Sequence, residues 1–154
     1  MREPGEVVAA LPRPGRALKA VLATLALFAV AGAIVVNWAP GGEAGAEIFR
    51  FLSFEPGALL QRPWGGVTSG LLTNPEGITH ALFALLGLYF LTPDLERRWG
   101  GGRLVRFLVA SVVIGNLVVL AVSALPLAHG IFHPGLVFGP FAAITAIVMA
   151  WAKE

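Results

Sequence analysis

Between residues 77 and 106 the chain reads GITHALFALLGLYFLTPDLERRWGGGRLVR: an apolar stretch, a basic connection and the start of a second apolar stretch. Lipid offers a bare backbone amide or carbonyl no partner, so apolar stretches that cross it must be helices. Two of them joined by so short a connection form a helical hairpin. A histidine, His80, enters the hairpin at one end, and Arg97, Arg98, Arg103 and Arg106 gather at the other. The chain before this hairpin leads into it, and the chain after it packs against it.

The composition agrees with that reading. Of the 154 residues, 56% are hydrophobic and 13% are charged, against roughly 25% charged in soluble domains. Most of the surface therefore does not face water, and the chain is an all-α polytopic membrane protein. With no cysteine, thiolate chemistry and disulfides are excluded. A formal net charge of +2 gives no ground for a nucleic-acid partner.

Residues 1–19 hold Pro, Gly and Arg with no helical period and read as a cytoplasmic tail. The apolar run over residues 20–38 exceeds the ~7–15 residues of a signal-peptide core. It reads as an uncleaved first transmembrane helix, with Trp38 as its interfacial anchor. Residues 43–73 cluster their apolar side chains between Glu47, Arg50, Glu55 and Arg62 and are not apolar enough to span a bilayer. They read as an interfacial helical segment, the competing reading being an ordinary loop with a few buried anchors. Three further helices are expected near residues 78–92, 104–125 and 135–151, making four spans. Basic residues favour the cytoplasmic side. Arg13, Arg16 and Lys19 precede the first helix and Arg97, Arg98 and Arg103 join the second to the third, which places the N-terminus inside.

At this point the residues resemble the rhomboid family of intramembrane serine proteases and their inactive relatives. Trp64-Gly-Gly-Val-Thr-Ser69 is similar to the family's Trp-Arg-x-x-Thr segment, with Gly65 in place of the arginine. His80-Ala-Leu-Phe-Ala84 is similar to its His-x-x-x-Asn, and Leu95-Glu96-Arg97-Arg98-Trp99-Gly100 to its Glu-x-x-x-Gly loop. Phe138-Gly139-Pro140-Phe141-Ala142 falls where the family has Gly-x-Ser-Gly at the opening of its fourth helix. The resemblance implies a rhomboid-like membrane domain over residues 20–152, comprising the first four helices of a six-helix core. A bacterial inner membrane is the expected location.

It also implies that the catalytic machinery is not intact. Amide hydrolysis needs a nucleophile, a base and donors for the oxyanion. Phe141 occupies the serine position, Ala142 the glycine after it and Ala84 the asparagine position, which leaves His80 as the remnant on the oxyanion side. The base belongs to the family's sixth helix, which has no counterpart here. The expected function is that of a non-catalytic pseudoprotease binding transmembrane segments. The alternative is the N-terminal portion of a rhomboid serine endopeptidase whose remaining helices are encoded elsewhere.

Other residues keep open readings. His80 is either functional, as polar groups inside a span usually are, or a structural partner for backbone of the interfacial segment. Glu96 either accepts bonds from the turn at Gly100, Gly101 and Gly102 or belongs to a solvated charged loop. Ser111 and Ser123 read as serines bonded to their own helix. His129 and His133 are four apart, but Gly130 and Pro134 argue for a loop and no third ligand accompanies them. Neither a metal nor a cofactor is expected. Ala142, Ala146 and Ala150 recur every four residues, a spacing that lets another helix approach closely. That stripe is filled by the second helix, by lipid, by a client helix or by a second copy.

Overall fold

The computed structural model describes residues 13–38, 43–125 and 135–153. They form α1 (Arg16–Trp38), α2 (Glu43–Leu52), a 3-10 turn at Pro56–Ala58, α3 (Gly65–Thr68) running into a 3-10 turn at Ser69–Leu71, α4 (Ile78–Leu91), α5 (Pro93–Trp99), α6 (Gly101–Ser123) and α7 (Phe141–Ala152). The all-α membrane architecture holds, but the helices are of two kinds. Two of them, α1 and α6, have 23 residues each and are long and apolar enough to cross a membrane. At 1.5 Å per residue they reach about 35 Å, against a hydrocarbon core of about 30 Å. With 14 and 12 residues, α4 and α7 reach only about 21 Å and 18 Å.

The connection between the two arms of the hairpin is a helix rather than a loop. Proline lacks the N–H that α4 would need to continue, and its ring favours a helix start. At Pro93 the chain bends by 47° and continues as α5, so α4 and α5 form a bent pair that passes the length and hydropathy test for a span only when taken together. Gly100, with φ of +80°, ends α5 and opens α6.

The first helix begins at Arg16, so Arg16 and Lys19 belong to it and not to the tail. Helix N-termini leave amides unpaired, and here Glu96 on α5 accepts from the N–H groups of Gly15 (2.8 Å), Ala17 (3.0 Å) and Leu18 (3.3 Å). This contact sets α1 and α6 side by side and parallel. Gly101 makes the approach possible, because a Cβ there would stand 2.6 Å from the Ala17 Cβ. The fourth apolar helix starts six residues later than expected, at Phe141. Residues 135–140 are spent on an extended stretch in which Val137 and Phe54 exchange backbone hydrogen bonds of 2.8 and 3.0 Å. The Trp151 indole N–H donates to the Leu91 carbonyl at 2.8 Å, so α7 ends beside the end of α4.

The core lies where α1, α4, α5, α6 and α7 meet, around Leu18, Leu25, Leu88, Leu95, Leu104, Leu108 and Ile147. Moving leucine from lipid into such a core gains little by transfer, so close packing and hydrogen bonds carry the association. The helix topology collects Arg16, Lys19, Arg97, Arg98, Arg103, Arg106 and Lys153 at one end of the bundle. Glu43, Glu47, Glu55 and Glu76 lie at the other with Arg50 and Arg62.

Candidate functional site

At the end away from Arg97, Arg98, Arg103 and Arg106, the segment after α1 divides in two. The first part, α2, exposes Ile48 and Phe51, as an interfacial helix does. The indole N–H of Trp64 donates to the Phe51 carbonyl (2.9 Å) and the Thr68 hydroxyl to the Leu52 carbonyl (2.6 Å), fastening α3 to α2.

The second part turns inward against the helices. Ser53, Phe54, Ser69, Leu72 and Thr73 are buried. The Asn116 amide, seven residues before the end of α6, donates at 2.9 Å to both the Gly66 carbonyl and the Ser69 hydroxyl. Short helical turns leave backbone groups unpaired, which is tolerated away from water only where protein covers them, and here α6 supplies both the cover and the bonds.

This insert carries the floor of the site. The Ser69 carbonyl accepts the N–H of Gly139 at 2.8 Å. Gly139 has φ of +111° and lies flat against the imidazole of His80: a Cβ on it would be 3.0 Å from Cε1 and 3.3 Å from Nε2. His80 itself is set by the turn before α4. There the Asn74 side-chain oxygen accepts the Glu76 N–H (3.0 Å) and the Asn37 amide of α1 donates to the Pro75 carbonyl (3.1 Å). The Asn74 N–H donates to Nδ1 of His80 at 3.2 Å. An accepting Nδ1 in a neutral imidazole assigns the proton to Nε2. Around the ring stand Phe141, edge-on at a centroid distance of 4.7 Å, and Phe138 at 5.7 Å, which in turn meets Phe49 at 5.0 Å.

His80 and residues 138–141, some sixty positions apart, therefore meet. The group that meets the imidazole is a phenyl ring, which has no lone pair to attack a carbonyl. The Gly139 N–H is already committed to Ser69, and Nε2 lies beside Gly139. This arrangement holds two helix starts together, and a phenyl ring stands where the resemblance would put a serine.

The other candidate residues lie elsewhere. Ala84, one turn below His80, is fully buried. Ser111 and Ser123 donate to the carbonyls of Phe107 and Leu120 in their own helix. His129 and His133 lie outside the described residues. The carboxylate of Glu96 is taken by α1 and not by the glycine turn, while the Gly100 N–H donates to the Glu96 backbone carbonyl at 2.9 Å. Ala142 packs against Gly115 of α6, where a Cβ would come within 2.7 Å of it, and Ala150 rests on the core. Ala146 is half-buried between them. Both ends of the stripe are thus occupied within the chain, and the face that α7 leaves open is Phe141, Thr145, Val148 and Met149. Reasoning from sequence missed Asn116 and Ser69. A lone amide inside an otherwise apolar span is the signal that could have found the pair.

A family model described as "Eukaryotic integral membrane protein (DUF1751)" matches residues 18–151. No curated protein and no solved structure matches the chain. The eukaryotic description does not fit the bacterial inner membrane expected from sequence, and integral membrane location is what stands.

Proposed function

The chain belongs to this integral membrane protein family, and on that basis we propose that it is a rhomboid-like, non-hydrolytic scaffold that binds transmembrane segments of other proteins. The observation that carries the proposal is Phe141 packed edge-on against His80. The scaffold that in rhomboid proteases brings a serine to the mouth of the second helix brings a hydrocarbon ring instead. In this reading the chain passes the membrane four times, with α4–α5 and α7 as the short passes and the arginine-rich end in the cytoplasm. Support for the orientation comes from the basic residues gathered at one end of the bundle.

Support for a client site comes from helix length. The short helices expose Leu82, Phe83, Leu86 and Phe90 on α4 and Val148 and Met149 on α7. Next to spans of about 20 Å the bilayer must thin, at a fraction of a kcal/mol per Å of mismatch. A client helix laid against this face would relieve that mismatch.

Two measurements test the proposal. Photo-crosslinking residues placed at Leu86 and Met149 are expected to capture membrane proteins that a residue at Leu27 of α1, which is as exposed as Met149 and more so than Leu86, does not. Identical adducts at all three positions, or none, would remove the client site. Cysteines at Ala44 and at Gly102, where a side chain meets open space, should label from opposite sides, the second only after permeabilisation. Labelling of Gly102→Cys in intact cells would overturn the orientation.

A further inference from the structure

An apolar cleft of about 330 Å³ lies between α1 and α6 on the side away from α4's exposed face. Its floor is Leu25, Leu88, Leu108, Val112 and Ala143, and its mouth is Ala20, Val105 and Val109, which are exposed. The helices that border it are the two full-length ones, and they lie parallel with their N-termini at the basic end. A file of methylenes fits, and in a bilayer lipid is the neighbour at hand.

The basic end of the cleft says which lipid. Arg16 lies one turn before Ala20 on the same edge of α1, and Arg106 lies one turn before Val109 on the matching edge of α6. Both are exposed. Arg16 has no acidic partner among the described residues. Arg106 spends Nε on the Gly102 carbonyl at 3.2 Å, which draws the side chain back towards the start of α6 and leaves its terminal nitrogens for another acceptor. An apolar slot ending between two guanidinium groups is complementary to an acyl chain ending in a phosphate.

We propose that this cleft binds one anionic phospholipid, with an acyl chain along Ala20, Val105 and Val109 and the phosphate between Arg16 and Arg106. The site is separate from the client face on α4 and α7 and does not depend on it.

The test uses the full chain in mild detergent, incubated separately with phosphatidylglycerol, phosphatidylcholine and a free fatty acid of the same chain length. Native mass spectrometry reads retention and a thermal scan reads stabilisation. One phosphatidylglycerol per chain should be retained, and it should raise Tm more than the other two do. Replacing both Arg16 and Arg106 with glutamine should weaken phosphatidylglycerol binding roughly 30-fold and abolish its advantage over phosphatidylcholine. Val105→Phe, which fills the mouth, should lower retention of every lipid. Because the arginine variants change exposed residues, they read the headgroup site even if Val105→Phe fails to fold. Equal retention of the two phospholipids, equal retention of the fatty acid, or an undiminished preference in the arginine variant would each overturn the proposal. So would a dimer signal that Val105→Phe removes, because the cleft would then be a contact between copies.

Discussion

The two ends of the α4–α5 arm solve the same problem with opposite chemistry. At the basic end a charge does the joining. Glu96 is buried and its two oxygens accept from three backbone N–H groups at the start of α1, where the helix dipole adds to the attraction. At the other end the contact uses no charged side chain. A neutral imidazole accepts one amide and packs beside Gly139, Phe138 and Phe141. Bonds to a charged group are worth about twice neutral ones. The basic end is therefore a clasp that cannot be altered cheaply, whereas the site end is a packed contact in which residues can change without unfolding the chain. Substitution should therefore cost more at Glu96 than around His80.

The contrast is tested hardest by Glu96→Ala. That change leaves three amides without an acceptor and should cost about 3–5 kcal/mol, read as a lower midpoint in a detergent-denaturation titration followed by tryptophan fluorescence. Glu96→Gln keeps a neutral acceptor and should lose less than half of that. If the two variants lose equally, hydrogen-bond count and not charge holds the clasp.

Next in size is Asn116→Ala, which frees the Ser69 hydroxyl and the Gly66 carbonyl and should cost about 2 kcal/mol. A cycle with Ser69→Ala should be non-additive, because the two side chains share a bond. Additive losses would mean that the insert is held by its backbone contacts alone.

The smallest effects belong to the site end. His80→Ala and Phe141→Ser should each cost about 1 kcal/mol. Neither variant should cleave a transmembrane reporter substrate or react with a serine-directed fluorophosphonate, since Phe141→Ser would add a hydroxyl beside an imidazole whose Nδ1 already accepts the Asn74 N–H. Covalent labelling of Phe141→Ser would reveal a base within the site and end the scaffold reading. A loss at His80→Ala as large as at Glu96→Ala would erase the contrast between the ends.

Much of this was legible in the chain itself. Apolar runs announce helices because lipid demands internal backbone pairing, so α1, α4 and α6 fall close to their expected places. Where Pro93 sits, a break is required, and the proximity of His80 to residues 138–141 came from motif resemblance. The partner of Glu96 did not come from either source. Its sequence neighbours are the glycines of the turn, and the amides it takes lie about eighty positions earlier, a pairing that only the helix arrangement creates. The Ala142, Ala146 and Ala150 stripe left its occupant open for the same reason. Spacing reports that a helix can be approached closely, but whether the approaching surface is Gly115 of the same chain or another molecule depends on tertiary packing.

The residues alone settle the solvent: an all-helical chain in lipid, with its basic residues bound for one end, because free energies of transfer act residue by residue and need no fold. Depth and partnership are settled by three-dimensional packing. Residues 53–73 look like an interfacial segment by composition, yet part of the segment packs against α6 and is held by Asn116, because a buried polar backbone is stable wherever another element meets its hydrogen bonds. Likewise α7 is short because residues 135–140 pair with Phe54 and seat Gly139 on His80 before the helix can begin. Those are contacts between distant parts of the chain, and no local pattern encodes them.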